Sequence, residues 1–325
     1  MINNPYGTQF GFILRWNLSK LEVEVRHASS TVEQRVRKWF TNRPKLVVLD
    51  GSRSIRLPHP DKYGKVLKIK GAGFMGDMVR FGVYHRAGPP APTFDFDGRR
   101  IEDVASGHNN AYLGAASFQQ AAVEFATSQK LVSLGYSVVP CIGYGRVQQD
   151  NHVSWFSLFE YEKDWVSVDE YLEANIENVR VLVELAVKHN LIGYFWFVQA
   201  QKGQWLLKDL HPLREVSPLN MSQLSWTLQL ITALYVRCQA CRYFAAASGL
   251  SLAPDELASI PLKGIIPDAS TQDYRDLKLN VVQPYIKTQT EDFSTDRLFD
   301  ALYSCKISRA ILEKCPDTYA RWTES

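Results

Sequence analysis

The alternation of apolar and basic residues is clearest between Gly64 and Lys70, where Val66, Leu67 and Ile69 lie among three lysines. Apart from the adjacent Val66 and Leu67, this pattern has a period of two and predicts a strand with one packed face and one solvated face. Four other apolar segments also predict strands: Phe10–Trp16, Leu46–Leu49, Ser137–Tyr144 and Val153–Tyr161. We therefore expect the first half of the chain to be rich in β-structure.

Apolar residues at helical spacing predict four longer helices. They cover Thr31–Phe40, Ser117–Leu134, Ile176–His189 and Trp226–Ala247. The second of these is expected to end at Gly135, since glycine is common directly after a helix. Polar residues interrupt the fourth helix, which is typical of a buried helix rather than a membrane span.

A β-hairpin is predicted in the second half of the chain. Trp196–Ala200 and Trp205–Asp209 are its strands, and Lys202-Gly203 is the turn between them. Most of the remaining second half is helical in pattern, so the sequence predicts an α+β protein. We expect an N-terminal extension of unclear role (1–45), a β-rich part (46–161) and a helical part (162–325), with an exposed connector at Phe159–Tyr161 between the last two.

Composition narrows the classes of protein that need consideration. A chain of 325 residues with 46% hydrophobic content can bury a sizeable core. The 37 basic residues nearly balance the 34 acidic ones, so no global charge calls for nucleic acid or an anionic membrane as the partner. Five cysteines form an odd number, and the N-terminus lacks the pattern of a secretory signal. We therefore expect reduced thiols and a cytoplasmic location.

Three parts of the sequence carry the residues that ATP and Mg²⁺ require. Lys70 precedes Gly71-Ala72-Gly73, where the backbone could approach phosphate closely. Glu124 lies in the middle of an apolar helix and could pair with Lys70, because a buried carboxylate needs a cation. Asp209 follows a strand, from which a carboxylate can reach a metal ion. The alternatives are structural: a solvated lysine, a surface glutamate, and an aspartate that caps a turn.

These segments resemble motifs of the selenoprotein O family, which are adenylyltransferases of the protein-kinase-like fold. Leu67–Gly73 is similar to the strand of that family that reads Leu-x-Leu-Lys-Gly-Ala-Gly, and Val123–Pro140 is similar to its Arg-Glu-Phe helix. Asp209–Leu213 resembles its Asp-Tyr-Gly-Pro-Phe motif. The motifs occur in the same order over about 145 residues, from Leu67 to Leu213.

The resemblance implies a two-lobed fold with a β-rich N-lobe and a helical C-lobe. It implies that Lys70 contacts the phosphates of ATP, that Glu124 orients this lysine and that Asp209 binds Mg²⁺. Gln199 takes the place of an asparagine in the family and is the predicted second metal ligand. Glu160, in the connector, is a further predicted nucleotide contact. The sequence departs from the kinase pattern at His189–Gly193, which contains no aspartate to act as a base.

Three functions follow as hypotheses. The first is an ATP-dependent transferase that moves AMP or phosphate onto a hydroxyl group of a protein or small molecule, with no nucleic-acid or membrane partner. The second is a pseudokinase that acts as a nucleotide-binding or interaction scaffold. The third is a ligase of the ATP-grasp type, because the strand that ends in Asp209, with His211 and Pro212 after it, resembles the Glu-x-Asn-Pro site of that family.

Overall fold

The computed structural model describes thirteen parts of the chain, and the fold is given for these. They are residues 21–42, 48–49, 54–71, 93–94, 100–101, 116, 118–149, 152–168, 172–201, 204–215, 223–247, 252–288 and 295–313. The chain divides into two compact units, Met1–Trp165 and Val166–Ser325. This division lies close to the sequence-based boundary at residue 161. The structure is α+β, as the sequence predicts.

The first unit is built on a six-stranded antiparallel sheet. The strands of this unit are β1 (Leu21–Arg26), β2 (Val48–Leu49), β3 (Ser54–Pro58), β4 (Lys65–Lys70), β5 (Thr93–Phe94), β6 (Arg100–Ile101), β7 (Cys141–Gln149) and β8 (His152–Glu162). The order in the large sheet is β1-β7-β8-β4-β3-β2, and β5 pairs separately with β6. Two helices accompany the large sheet: α1 (Ser30–Asn42) and α2 (Phe118–Ser133).

The period-two pattern of β4 decides which side chains each helix covers. Leu67 and Ile69 are fully buried in a core that includes Val36 and Phe40 of α1. Side chains alternate along a strand, so Lys70 lies on the opposite face, where it meets α2. The packed face predicted from the sequence is thus the face under α1.

The second unit combines short strands with helices. Its strands are β9 (Val166–Ser167), β10 (Leu191–Ile192), β11 (Trp196–Gln201), β12 (Gln204–Lys208) and β13 (Arg214–Glu215). Its helices are α3 (Leu172–His189), α4 (Gln223–Ala247), α5 (Pro254–Ser259), α6 (Thr271–Asp276), α7 (Gln283–Thr288), α8 (Thr295–Ser304) and α9 (Lys306–Glu313), with a 3₁₀ segment at Ile260–Gly264 and a π-helical segment at Leu277–Val282. Across the part of the chain that the structure describes, no helix is both long enough and apolar enough to cross a membrane.

Several predicted elements are confirmed and some are corrected. The helices α1 to α4 and the β11–β12 hairpin occur where the sequence predicts them, within a few residues. The strand predicted at Phe10–Trp16 lies outside the described residues. The prediction of an exposed connector at Phe159–Tyr161 is wrong, because these residues belong to β8 and are 3%, 6% and 3% exposed. They are interior positions of the sheet.

Candidate functional site

Lys70 and Glu124 form a buried ion pair between a strand and a helix. The lysine is the last residue of β4, and its Nζ lies 3.2 Å from Oε2 of Glu124 in the middle of α2. The side chains are only 13% and 2% exposed. The pair expected from the sequence is therefore confirmed. A carboxylate this well buried needs a cation nearby, and β4 supplies one.

Helix α2 is hydrogen-bonded to strand β7 about one turn beyond Glu124. The hydroxyl of Ser128 accepts a hydrogen bond from the backbone N–H of Cys141, at 3.2 Å. The side-chain amide of Gln129 donates to the carbonyl oxygen of the same residue, at 3.1 Å. Burial, with a smaller effect of the Glu124 charge, raises the pKa of the Cys141 thiol. Both backbone groups of the first residue of β7 are thus bound by α2.

Further cations share the face of the sheet that bears Lys70. Arg56 of β3 lies opposite Lys68 of β4, so both are on the same face as Lys70. The ring of Tyr161 has Lys68 Nζ 4.9 Å and Arg56 Cζ 5.2 Å from its centroid. Lys70 Nζ itself lies 5.9 Å from the centroid of Phe159. Three cationic side chains therefore lie beside aromatic rings on this face of the sheet.

Gly71 occupies a position where a larger residue would collide with the backbone. Its φ is +89°, and an added Cβ would come 2.9 Å from the carbonyl oxygen of Trp155 and 3.0 Å from the amide nitrogen of Ala116. Ala116 and Trp155 form an isolated β-bridge at this point. The packing of the backbone alone therefore requires glycine here. Gly73, the other glycine predicted to contact ATP, lies outside the described residues.

Glu160 belongs to a different cluster from Lys70. It pairs with Leu67 in the sheet, so its side chain lies on the face opposite Lys70. Its carboxylate accepts hydrogen bonds from Lys62 and from Lys65, the latter at 2.6 Å, and lies 3.7 Å from Nε2 of His59. The side chain predicted to contact a nucleotide is therefore engaged within the first unit and away from Lys70.

Desolvation and two neighbouring lysines shift the pKa of Glu160 in opposite directions. Burial alone would raise the pKa of this carboxyl, but the hydrogen bonds from Lys62 and Lys65 outweigh it and hold the pKa below its ordinary value of 4.5. Burial also lowers the pKa of His59. The cluster is consequently an ionised carboxylate held by two ammonium groups at neutral pH.

Asp209 lies in the second unit, directly after strand β12. Its backbone has a φ of +57°, in the left-handed region that aspartate adopts more readily than most residues. The turn after it is closed by the N–H of Leu213, which donates to the carbonyl oxygen of Leu210 at 3.0 Å. Gly193 packs on this turn so closely that an added Cβ would lie 2.3 Å from the carbonyl oxygen of Pro212. The aspartate is thus half-buried on a turn of fixed shape.

The register of the hairpin does not bring Gln199 to Asp209. Gln199 lies opposite Trp205, whereas Trp196 lies opposite Lys208, the residue before Asp209. Asp209 is four residue positions beyond Trp205, which corresponds to about 13 Å along a strand. Oxygens that share one Mg²⁺ are each about 2.1 Å from the ion, so a common site would need both side chains to reach across this separation. The role of Asp209 and Gln199 as metal ligands stays a prediction, and the register does not set the two residues beside each other.

Two buried polar side chains near the start of β11 were not anticipated from the sequence. Asn178 of α3 is fully buried, and its Nδ2 donates to the carbonyl oxygen of Phe195 at 2.9 Å. Arg237 of α4 is 1% exposed, and its Cζ lies 4.2 Å from the ring centroid of Trp196. The signal available in the sequence was a polar residue within the apolar stripe of each helix. Both contact the strand end beside the Asp209 turn.

Within the described ranges, no three His, Cys, Asp or Glu side chains cluster in a way that could hold a metal ion. Lys70 and Glu124 belong to the first unit and Asp209 to the second. A scan of the sequence against models of known protein families and a search of characterised proteins both found no match.

Proposed function

We propose that the chain is an ATP-dependent transferase of a protein-kinase-like fold, related to the selenoprotein O family, that moves AMP or phosphate onto a hydroxyl group of a protein or small molecule. The buried Lys70–Glu124 pair is the observation that carries this proposal. In protein kinases, a lysine on a strand pairs with a glutamate on the following helix and contacts the phosphates of ATP.

The order of elements around the pair supports the same fold. The lysine strand β4 and the short β5–β6 pair are followed by the glutamate helix α2 and then by the antiparallel strands β7 and β8. Strand β8 returns to lie beside β4, with β7 outside it. The N-lobe of protein kinases has this arrangement of a lysine strand, a glutamate helix and two strands.

The chemistry expected of such a site is mainly positioning and electrostatic stabilisation. Lys70 would bind oxygens of the transferred phosphate, and Glu124 would hold the ammonium in place. Arg56 and Lys68, on the same face of the sheet, would add positive potential around the phosphates. Asp209 would hold Mg²⁺, which supplies charge neutralisation to the leaving phosphate. The acceptor oxygen would bond either to the α-phosphorus, with pyrophosphate as the leaving group, or to the γ-phosphorus, with ADP as the leaving group, and its proton would pass to solvent.

A second candidate, the pseudokinase scaffold, is favoured by one observation. The hairpin register sets Gln199 opposite Trp205, four residue positions before Asp209, so it does not place the two predicted metal ligands side by side. A protein whose predicted metal ligands are not adjacent could bind nucleotide and catalyse no transfer.

Incubation with ATP labelled at the α or the γ position, together with thermal unfolding, separates these functions. Transfer of the α label indicates adenylylation, and transfer of the γ label indicates phosphorylation. ATP with Mg²⁺ at about 100 times its dissociation constant should add about 2.7 kcal/mol of stability. Stabilisation without transfer of either label would support the scaffold. If ATP gives no stabilisation and neither label is transferred, the proposal of nucleotide binding is refuted.

Variants assign the effect to the site. We expect Lys70→Met and Asp209→Asn to weaken the stabilisation by ATP with Mg²⁺, because each removes a charge that faces the nucleotide or its metal ion. Lys38→Met is the matched control, since Lys38 is an exposed lysine of α1. Equal responses of Lys70→Met and Lys38→Met to ATP would contradict a phosphate site at Lys70.

A further inference from the structure

The contacts between α2 and Cys141 fix the helix at a particular height above the sheet. Ser128 is fully buried and its Oγ binds the N–H of Cys141. The side-chain amide of Gln129, the next residue, donates to the carbonyl oxygen of Cys141. A helix held at both polar groups of one strand residue can neither slide along the strand nor rotate without breaking one of these bonds.

Ser128 is placed to transmit this constraint to Glu124. The two residues are four positions apart, so they lie on the same side of the helix and about 6 Å apart along its axis. Both are buried against the sheet. An α-helix is rigid over one turn, so the position of the Ser128 hydroxyl sets the reach of the Glu124 carboxylate toward Lys70.

Release of the helix would also cost contacts at the strand. Cys141 is 1% exposed with α2 in place, and departure of the helix would break the hydrogen bonds of both its backbone groups with Ser128 and Gln129. Buried backbone groups that lack hydrogen bonds destabilise a fold. The ion-paired position of α2 is therefore maintained by contacts within the first unit.

We propose that Ser128, assisted by Gln129, is a positioning residue that keeps Glu124 paired with Lys70 and so sets the first unit to receive nucleotide phosphates without an activating partner. This inference rests on the proposed function. Ser128 acts through Glu124 and does not itself contact the nucleotide.

A double-mutant cycle tests the inference. The variants are Ser128→Ala, Glu124→Gln and the double variant, and the measured quantity is the dissociation constant of ATP with Mg²⁺. We expect Ser128→Ala to weaken binding about tenfold, the effect of one lost hydrogen bond to a buried group. In the Glu124→Gln background, the same substitution should cause no further weakening, because the carboxylate that it positions has already been removed.

Ser133→Ala is the matched control on the same helix. The Ser133 hydroxyl donates to the carbonyl oxygen of Lys130 and is exposed, so we expect an unchanged dissociation constant. If Ser128→Ala weakens binding equally in both backgrounds, Ser128 has only a general structural role and the inference is wrong. Unchanged binding in Ser128→Ala would also overturn it.

Unfolding without ligand keeps the two proposals separable. If the wild-type protein binds no nucleotide, the proposed function fails, and the same four proteins are compared by urea denaturation. Non-additive effects of Ser128→Ala and Glu124→Gln on the denaturation midpoint would show that the hydrogen bond of Ser128 to Cys141 acts on the glutamate. Additive effects would refute it.

Discussion

Replacement of Lys70 by methionine tests how far the Glu124 carboxylate depends on its ion pair. The ammonium lies 3.2 Å from the carboxylate, whose side chain is 2% exposed. At this distance two unit charges attract by about 5 kcal/mol if the effective dielectric constant is about 20. Desolvation of the lysine offsets part of this attraction, whereas the glutamate stays buried in the variant. We expect Lys70→Met to lower the free energy of unfolding of the first unit by about 3 kcal/mol.

Urea denaturation followed by hydrogen exchange measures this loss, since exchange assigns each transition to one of the two units. A loss of about 3 kcal/mol moves the midpoint by about 1.5 M if the denaturant slope is about 2 kcal/mol per M. Lys188→Met is the control, because Lys188 pairs with Glu184 and is 62% exposed, and should change stability by less than about 0.5 kcal/mol. An equally small change in Lys70→Met would refute the reasoning. Lys70→Met combined with Glu124→Leu should recover most of the loss, because no buried charge remains.

Two further predictions concern the Asp209 turn and the Glu160 cluster. Gly193→Ala should destabilise the second unit by about 2 kcal/mol or more in thermal unfolding, because the new methyl group collides with the Pro212 carbonyl. The control is Gly64→Ala, which adds a methyl group that meets no atom within 4 Å and should lower stability less. The pKa of Glu160 is lower in the folded protein than its ordinary value of 4.5, so the stability that it contributes is present above pH 4.5 and is lost as the pH falls through the folded pKa. Glu160→Gln should flatten the fall in melting temperature in this range; an unchanged slope would contradict the assignment.

The sequence predicted the ion pair because local patterns orient each partner, although the two residues lie 54 positions apart. The alternation along β4 decides which face each lysine occupies, and the helical spacing of α2 decides that Glu124 points toward the sheet. Both patterns are short-range, and the desolvation of an unpaired carboxylate then leaves a cation as the natural partner. The hairpin that precedes Asp209 was predictable for the same reason.

Pairing between distant strands was not predictable from these patterns. The sequence of Phe159-Glu160-Tyr161 is typical of an exposed connector. Its burial depends on ion pairs of Glu160 with Lys62 and Lys65, which are about 95 residues away in sequence, so no local pattern indicates it. The separation of Gln199 from Asp209 depends on the hairpin register, which includes an irregularity between Gln199 and Gln201. Register is a property of the assembled sheet.

The close approach of Gly71 to Ala116 means that the chain leaves the sheet and comes back to it at practically one spot. The bridge between Ala116 and Trp155 ties both positions to β8. The entropy cost of joining two fixed ends rises only slowly with the number of residues between them. A short insertion between β6 and Ala116 is therefore expected to leave the alignment of β4 unchanged.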